Sequence, residues 1–362
     1  MVESSPLVPA VYIFGDSLVD AGNNNYLNAS AKANFPHNGV DFPHQQYTGR
    51  FSNGKIVPDF LAEEVSLPLV PPYLSLADEN GRVTNATPFR TGVNFASGGF
   101  GILDETKQGF KKVPIKNKVE MEQDRPMPMS QQIAFYSSVY EYLVEELGSD
   151  AAQAHLSQSL FFIVAGSNDL FAYYETDVHK HYTPQAYVDL MVSTFESELK
   201  VLYKYGARKY VVNGVGLLGC IPFQRMNIQG GECRDEMNYW AGKYNTALRS
   251  LLHRLEMELP GFAYSYGDVY ALISHVMETP SKYGFIEIEA ACCGLGHLNA
   301  VVPCIPMASL CPNRSDHLFW DPFHPSQKVN RIVVDYMFDG FNFTYPINIK
   351  ELIAKPAKSI GY

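Results

Sequence analysis

Short, uninterrupted apolar runs alternate along this chain with longer segments of helical periodicity, and this alternation restricts the possible folds most strongly. The runs predict strands at 11–14, 92–96, 160–164, 209–212 and 262–266. A strand that is apolar on both faces needs cover on both faces, as in a parallel sheet. Helices are predicted from Pro184 to Gly206, from Glu236 to Pro260 and from about Ser326, which would be the last helix. The pattern therefore predicts an α/β fold with helices on both faces of the sheet.

Composition and charge narrow the class of protein. The 362 residues are 46% hydrophobic and 18% charged, with a formal net charge of -10. The negative charge argues against a nucleic-acid partner, because phosphates would be repelled. No apolar run approaches the roughly 20 residues of a membrane-spanning helix. No Ser/Gly-rich or charged linker divides the chain, so we expect a single domain over residues 1–362, acting as a monomer.

The cysteines and the glycosylation sequons indicate the secretory route. Four Asn-X-Ser/Thr sequons begin at Asn28, Asn85, Asn313 and Asn342. All six cysteines lie in the C-terminal half, which is typical of local disulfides, and Cys220–Cys233 is the simplest pairing. No signal peptide is visible. We therefore expect a secreted or vacuolar protein whose signal was removed, with residues 1–8 as a disordered remnant.

Small or polar residues follow three of the predicted strands. Ser17 follows the first strand, Gly98 and Gly99 follow the second, and Asn168 follows the third. In parallel sheets the active site gathers at the carboxyl ends of the strands, so these residues are expected on one rim. Ser17 is a candidate nucleophile, and Asn168 and a glycine at 98 or 99 are candidate donors to an oxyanion. Taken singly, each residue is more typical of an ordinary turn than of an active site.

A serine nucleophile needs a base, and residues 320–325 offer one. Asp321 and His324 stand close together among two prolines, directly before a predicted helix. The carboxylate can hold one imidazole nitrogen, which leaves the other to accept the serine proton. Taken alone, an Asp-Pro turn with a surface histidine is the alternative interpretation.

Two other patterns are not expected to be functional. Residues 214–219 match G-x-G-x-x-G, but Cys220-Ile221-Pro222 follows where a helix should begin, so a dinucleotide site is not expected. His179 and His181 lie in a polar stretch and are interpreted as solvated. No histidine pair stands at zinc-ligand spacing among the cysteines. We therefore expect no metal and no cofactor.

Ordered blocks along nearly the whole chain resemble the plant GDSL esterase/lipase family, within the SGNH hydrolases. The blocks lie at 14–24, 92–99, 166–169, 216–222 and 291–294. The resemblance implies a flavodoxin-like three-layer α/β/α sandwich with a central, mainly parallel five-stranded sheet. A longer, basic segment from Thr106 to Met129 departs from the family pattern. Residues 104–130 are therefore predicted as a lid or substrate-facing loop.

The resemblance also implies a role for each candidate residue. Ser17 would be the nucleophile, His324 the general base and Asp321 its partner. The backbone N–H groups of Ser17 and Gly99 and the Asn168 side chain would form the oxyanion hole. No member of this set is substituted in the present sequence.

The function expected from this resemblance is hydrolysis of a small-molecule or lipid-like carboxylic ester through an acyl-enzyme. One alternative keeps the acyl-enzyme and transfers the acyl group to an alcohol, in plant specialised metabolism or in cell-wall or cutin modification. Another is a non-catalytic, defence-related glycoprotein. Aromatic and apolar residues beside the predicted site line either an acyl pocket or the ordinary core: Phe100, Leu170, Phe171, Tyr173 and Tyr174.

Overall fold

A computed structural model of the chain describes residues 5–78, 82–104, 106 and 126–356. Its strands are β1 (Val11–Gly15), β2 (Leu160–Val164), β3 (Lys209–Asn213), β4 (Ala263–Gly267), β5 (Glu287–Ala291), β6 (Cys293–Gly294), β7 (Ser309–Leu310), β8 (His317–Phe319) and β9 (Thr344–Tyr345). Strands β1 to β4 run parallel in that order, and β9 pairs antiparallel with β4 at the edge. The predicted mainly parallel five-stranded sheet is confirmed.

Ten α-helices lie within the described residues. They are α1 (Val57–Glu64), α2 (Met129–Leu147), α3 (Ser149–Gln158), α4 (Ser167–Glu175), α5 (Pro184–Lys204), α6 (Pro222–Arg225), α7 (Asp235–Glu258), α8 (Val269–Glu278), α9 (Gln327–Asp339) and α10 (Ile349–Ala354). The three predicted helices are confirmed as α5, α7 and α9. The prediction that α9 is the last helix is wrong, because the six residues of α10 are too few for a visible period. Among the described residues, every helix is too short or too polar to cross a membrane.

One predicted strand does not form as a regular element. Residues 92–96 run beside β1 through a single parallel bridge between Ile13 and Asn94. The Asn94 side chain bonds to the Val19 carbonyl and the Ala96 N–H, and Pro72 forms a bridge on the other side. Four backbone hydrogen bonds join residues 91–97 to β1, but the Gly15 N–H donates to Gln132 Oε1, so the ladder is not continued at the end of β1. The fifth regular strand is therefore β9, and residues 92–96 lie beside β1 as an irregular extension of the sheet.

Helices cover both faces of the sheet. Side chains of successive strand residues point to opposite faces. The Tyr210 hydroxyl donates to the carbonyl of Leu199 in α5, whereas the Lys209 ammonium donates to the carbonyl of Ile353 in α10. Helices α5 and α10 therefore lie on opposite sides. This arrangement explains why all five residues of β2 are buried.

Two expectations concern segments at the border of the described residues. The Leu7 N–H donates to the Val65 carbonyl at 3.0 Å, and Val8 is only 3% exposed. The prediction of a disordered remnant is therefore wrong for these residues, because Val8 gains apolar contacts in the core; residues 1–4 lie outside the described residues. Most of the predicted lid, residues 107–125 with residue 105, also lies outside them.

The six cysteines form three disulfides, which confirms the predicted pairing Cys220–Cys233 and adds Cys292–Cys311 and Cys293–Cys304. The two additional bridges hold the small hairpin of β6 and β7 beside Trp320. Trp320 directly precedes the Asp321 to His324 turn, so these disulfides brace the segment that carries the candidate base.

Candidate active site

The ends of the strands bring the predicted site residues to one cavity of about 230 Å³, here called the site cavity. Ser17, Gly99, Asn168 and His324 all line it. Ser17 and Asn168 are partly exposed, whereas the residues directly before them, Asp16 and Ser167, are buried. Each turn after a strand therefore leaves one residue partly exposed and buries the residue before it, although Asp16 and Ser167 also contribute to the cavity wall. Apolar side chains form much of the remaining wall: Leu18, Phe51, Phe171, Leu218 and Phe323.

Ser17, His324 and Asp321 form a continuous hydrogen-bonded chain. Ser17 Oγ lies 2.7 Å from His324 Nε2. His324 Nδ1 lies 2.8 Å from each carboxylate oxygen of Asp321. With the Nδ1 proton held by the carboxylate, the Nε2 lone pair faces the serine hydroxyl. The arrangement is therefore able to move a proton away from Ser17.

The turn from Trp320 to Pro325 orients the imidazole. Asp321 Oδ1 also accepts the backbone N–H groups of Phe323 and His324, both at 2.8 Å. The Trp320 N–H donates to the His324 carbonyl, and the indole N–H donates to Asn38 Oδ1. The Phe51 ring lies 5.0 Å from the imidazole, centre to centre. Backbone bonds and packing together hold Asp321 and His324 in place before α9 begins.

Asn168 and Gly99 line the same cavity as Ser17. Asn168 stands in the first turn of α4, and its amide nitrogen donates to the Phe100 carbonyl at 2.7 Å. One amide hydrogen is used by this bond, which fixes the plane of the amide, and the second remains for another acceptor. Gly99 has φ +84°, a conformation that favours glycine, and among the described residues the atoms nearest to a Cβ built there are 3.8 Å away or more. Its backbone is therefore open to a close ligand.

Asp20, to which the sequence analysis assigned no role, joins the turns around Ser17 through hydrogen bonds. The buried Asp20 carboxylate accepts the backbone N–H groups of Gly22, Asn23 and Gly98. Asn23 donates to the carbonyls of Asn94 and Ala96. The turn after β1 is thereby tied to the segment that carries Gly99. The uninterrupted polar run from 23 to 25 was the available signal, since such a run has no helical or strand period.

Two buried carboxyl groups flank the reactive residues. Burial raises the pKa of Asp16 to about 7. Asp16 Oδ1 accepts the Leu18 N–H at 3.0 Å, and its other oxygen has no hydrogen-bond partner among the described residues. Burial also raises the pKa of Asp169, although this carboxyl accepts the N–H groups of Ile102 and Leu103. Asp169 thereby ties the segment after Phe100 to α4.

Only one of the five residues proposed as an acyl pocket or core lines the site cavity, namely Phe171. Phe100 and Leu170 are 1% and 2% exposed and belong to the core. The Tyr173 hydroxyl donates to the Tyr182 carbonyl, and the Tyr174 ring lies under the Arg234 guanidinium. Helical geometry explains the difference, because adjacent residues of α4 point in different directions.

Histidines and acidic side chains elsewhere show no metal-binding arrangement within the residues that the structure describes. His179 and His181 are exposed, as interpreted from the sequence. Residues 214–217 form a loop after β3, and α6 begins only at Pro222. This differs from a dinucleotide site, in which a helix begins at the glycine motif.

Comparison with known proteins places the chain in a family. Residues 11–337 match the sequence profile of the GDSL-like Lipase/Acylhydrolase family. GDSL esterase/lipase At5g55050 of Arabidopsis thaliana is 43% identical over 353 residues, covering 96% of this chain and 90% of the relative. GDSL esterase/lipase At4g16230 of the same plant is 37% identical, covering 95% and 91%. A solved mutant of Axe2, an acetyl-xylooligosaccharide esterase from Geobacillus, is 12% identical, covers 92% of each chain and has a TM-score of 0.35. The family profile match and the identity to the two Arabidopsis proteins show that the chain belongs to the GDSL-like lipase/acylhydrolase family, a family of ester-bond hydrolases.

Proposed function

We propose that this protein hydrolyses carboxylic esters through an acyl-enzyme on Ser17, with His324 as general base and Asp321 as its orienting partner. The observation that carries the proposal is the 2.7 Å separation of Ser17 Oγ and His324 Nε2, together with the hydrogen bond from His324 Nδ1 to Asp321. A serine hydroxyl is a weak nucleophile until a positioned base takes its proton. The family membership supports the same chemistry.

Charge develops on the carbonyl oxygen when Ser17 attacks, and fixed donors would stabilise it. The proposed donors are the backbone N–H groups of Ser17 and Gly99 and the amide of Asn168. The Asn168 amide is held by the Phe100 carbonyl, so it needs little reorganisation during the reaction. The left-handed backbone at Gly99 leaves room for the substrate beside its N–H.

The reaction proceeds in two acyl-transfer steps. Ser17 Oγ bonds to the carbonyl carbon as its proton passes to His324 Nε2. The tetrahedral intermediate then collapses, the bond to the alcohol oxygen breaks, and His324 protonates that alcohol. A water molecule next gives a proton to His324 and attacks the acyl-enzyme. Cleavage of the bond to Ser17 Oγ releases the acid, and His324 returns its proton to Ser17 Oγ, which restores the hydroxyl.

The same proposal places the protein in a secretory compartment, the cell wall or the vacuole. Three disulfides close local loops, and disulfides persist in oxidising compartments. The sequon residues Asn28, Asn85, Asn313 and Asn342 are all exposed, as glycan acceptors must be. Expression in a plant cell and peptide mapping of the glycans test this part.

A fluorophosphonate probe tests the nucleophile directly, because it reacts with activated serines. We expect stoichiometric labelling of the wild-type protein, and loss of both labelling and ester hydrolysis in Ser17→Ala. Ser193→Ala is the matched control, since Ser193 is an exposed serine of α5 whose hydroxyl contacts only the Leu190 carbonyl of its own helix among the described residues. An unlabelled wild-type protein contradicts the enzyme proposal, and labelling that survives in Ser17→Ala contradicts the assignment of Ser17.

The acceptor of the acyl group is tested on the same protein. An ester panel is incubated with and without competing alcohols, and the products are separated into free acid and new ester. We expect free acid as the main product. New ester as the main product would instead support the acyltransferase alternative, with the same Ser17 chemistry.

A further inference from the structure

The wall of the site cavity contains a carboxylate that the proposed reaction does not use. Glu175 lines this cavity and is exposed at the last position of α4. The other ionisable groups of the described lining are Asp16, which is buried, and His324, which serves as the base. Among the described lining residues, Glu175 is therefore the ionisable side chain that is left to contact a part of the substrate remote from the reacting carbonyl.

One face of α4 sets the distance between Glu175 and the proposed oxyanion hole. Asn168, Phe171 and Glu175 all line the site cavity. They stand three and then four positions apart, and residues at such spacing lie on one face of a helix. The seven positions from Asn168 to Glu175, at about 1.5 Å each, span about 10 Å along the helix axis. A substrate with its carbonyl oxygen at Asn168 can reach Glu175 by extending past Phe171.

A network of side chains holds the Glu175 carboxylate. Gln224 Nε2 donates to Glu175 Oε1 at 2.8 Å, and the Arg234 guanidinium donates to Gln224 Oε1 at 3.3 Å. Gln224 is only 6% exposed, so its amide is fixed by packing as well as by these two bonds. Among the described residues, Gln224 is the hydrogen-bond partner of Glu175, and Glu175 Oε2 remains for a ligand.

The network favours a hydroxyl group over a cation as the ligand of Glu175. A carboxylate oxygen only accepts hydrogen bonds, so its ligand must be a donor. The positive charge of Arg234 is joined to Glu175 through Gln224 and would repel an ammonium group bound there. A hydroxyl group donates to the carboxylate and carries no charge that Arg234 would repel.

We propose that Glu175 is a specificity-determining residue that accepts a hydrogen bond from a hydroxyl group on one arm of the ester, about 10 Å from the reacting carbonyl. The inference rests on the proposed function, because it takes the carbonyl oxygen to lie at Asn168. An extended chain covers about 3.5 Å for every three bonds, so about eight or nine bonds separate the carbonyl carbon from the hydroxyl oxygen. The substrate class is an ester with a hydroxylated arm of about this length.

Substrate pairs that exchange a terminal methyl group for a hydroxyl group test this distance. In the acyl arm, methyl ω-hydroxyoctanoate is compared with methyl nonanoate, and the shorter methyl ω-hydroxybutanoate with methyl pentanoate. In the alcohol arm, hexanediol monoacetate is compared with heptyl acetate, and ethylene glycol monoacetate with propyl acetate. We expect the hydroxylated-to-plain ratio of kcat/KM to be higher for the long pair than for the short pair in one arm, which identifies the arm that reaches Glu175.

Glu175→Leu removes the acceptor and keeps a side chain of similar size. We expect it to lower the hydroxylated-to-plain ratio of that long pair about fivefold or more, and to leave the ratio of the short pair at the wild-type value. Glu146→Leu is the matched control, because Glu146 is an exposed glutamate in the last turn of α2 and does not line the site cavity. It should leave both ratios unchanged. Long pairs whose ratios are equal in wild type and Glu175→Leu overturn the proposal.

Glu175→Gln distinguishes a hydroxyl group from a cation as the ligand. An amide still bonds to a hydroxyl group, whereas it offers no charge to an ammonium group. Methyl ω-aminooctanoate and aminohexyl acetate are the charged counterparts of the long substrates. We expect wild type to prefer the hydroxyl substrate over the ammonium substrate, and Glu175→Gln to keep more of the hydroxyl preference than Glu175→Leu. A preference for the ammonium substrate that Glu175→Gln abolishes overturns the hydroxyl assignment.

Binding without turnover separates the failure of this inference from the failure of the proposed function. Calorimetry on Ser17→Ala measures Kd for the long hydroxylated esters and their plain counterparts, and the same esters are measured on Ser17→Ala combined with Glu175→Leu. A hydroxyl preference that only the first protein shows supports the role of Glu175 even if fluorophosphonate does not label the wild type. A labelled, active enzyme whose hydroxyl preference does not depend on Glu175 overturns this inference alone.

Discussion

The surroundings of Ser17 set it apart from other serines of the chain. Its hydroxyl faces the imidazole of His324, while the adjoining Asp16 is buried against the same loop. Asn168 shows the same arrangement, because the buried carboxyl of the neighbouring Asp169 accepts two backbone N–H groups from the segment that follows Phe100. At both strand ends a buried carboxyl holds the turn, and a neighbouring residue is presented to the cavity.

Loss of the Asn168 amide tests the proposed oxyanion hole. We expect Asn168→Ala to lower kcat about 10²–10³-fold, because one preorganised donor is removed, with a much smaller change in KM. Steady-state kinetics with a short ester measures both constants. Asn168→Ala also removes the bond to the Phe100 carbonyl, so its melting temperature is compared with that of wild type. A rise in KM with an unchanged kcat would contradict the assignment.

Burial of Asp16 makes stability depend on pH. Its pKa rises from 3.8 to about 7 on folding, so the folded state holds more protons than the unfolded state between these values. The contribution of Asp16 to the free energy of unfolding therefore falls as pH rises through this window, by at most about 1.4 kcal/mol per pH unit. We expect Asp16→Asn to gain stability relative to wild type as pH rises from about 4 to 7 in urea titrations. Asp189→Asn, at an exposed position, is the control and should not show this trend.

At the scale of elements, the segment between β3 and α7 matters for the site because it contributes Leu218 to the wall of the site cavity. Cys220–Cys233 closes it, and the Arg225 side chain donates to the carbonyls of Cys220 and Gly231. The loop is therefore held by a covalent bond and by a buried guanidinium.

Removal of this disulfide is expected to cost about 3 kcal/mol, the value for a loop of comparable length. The paired substitution Cys220→Ala with Cys233→Ala should also lower kcat/KM at temperatures where the protein stays folded, because Leu218 loses its support. Leu218→Ala with the disulfide intact is the comparison, since the disulfide is expected to act through Leu218. It should lower kcat/KM to a similar extent, and removing the disulfide from Leu218→Ala should add little further loss. Fully additive losses of activity would contradict a role of the disulfide in supporting Leu218.

At the scale of the whole molecule, one large hydrophobic cluster runs from Val8 to Leu352 and includes side chains from both faces of the sheet. Trp320 belongs to a smaller cluster with two disulfides. Backbone bonds from Cys293 to the Trp320 carbonyl and from Trp320 to His324 join the smaller cluster to the site turn. The single domain expected from the sequence stays a prediction.

Unfolding measured by two probes tests that prediction. In Trp240→Phe, Trp320 is the remaining tryptophan, so its fluorescence reports on the smaller cluster. We expect its urea midpoint to coincide with that of far-ultraviolet circular dichroism, because the two clusters share one backbone network. Distinct midpoints would indicate two folding units.

The sequence pattern predicted strands β1 to β4, because strands buried on both faces carry an uninterrupted apolar run. It predicted helices α5, α7 and α9, because their apolar residues recur at helical spacing. The edge strand β9 and the helix α10 were not, since each is short and depends on contacts with β4 and with Lys209. Residues 92–96 were predicted as a strand and do bond to β1, but the apolar pattern does not reveal that the remote Gln132 takes the Gly15 N–H and interrupts the ladder.

The site divides in a similar way. The sequence by itself determined which residues can do the chemistry, since Ser17, Asn168 and the Asp321–His324 pair stand where strands end or a helix begins. Only the tertiary structure decided that Ser17 and His324, which are 307 positions apart, meet at 2.7 Å, and that Phe171 reaches the cavity while Tyr173 and Tyr174 do not. Residue types and their spacing determine the chemical groups that are available locally. Distances between remote residues and the direction of each side chain depend on how the sheet and helices pack.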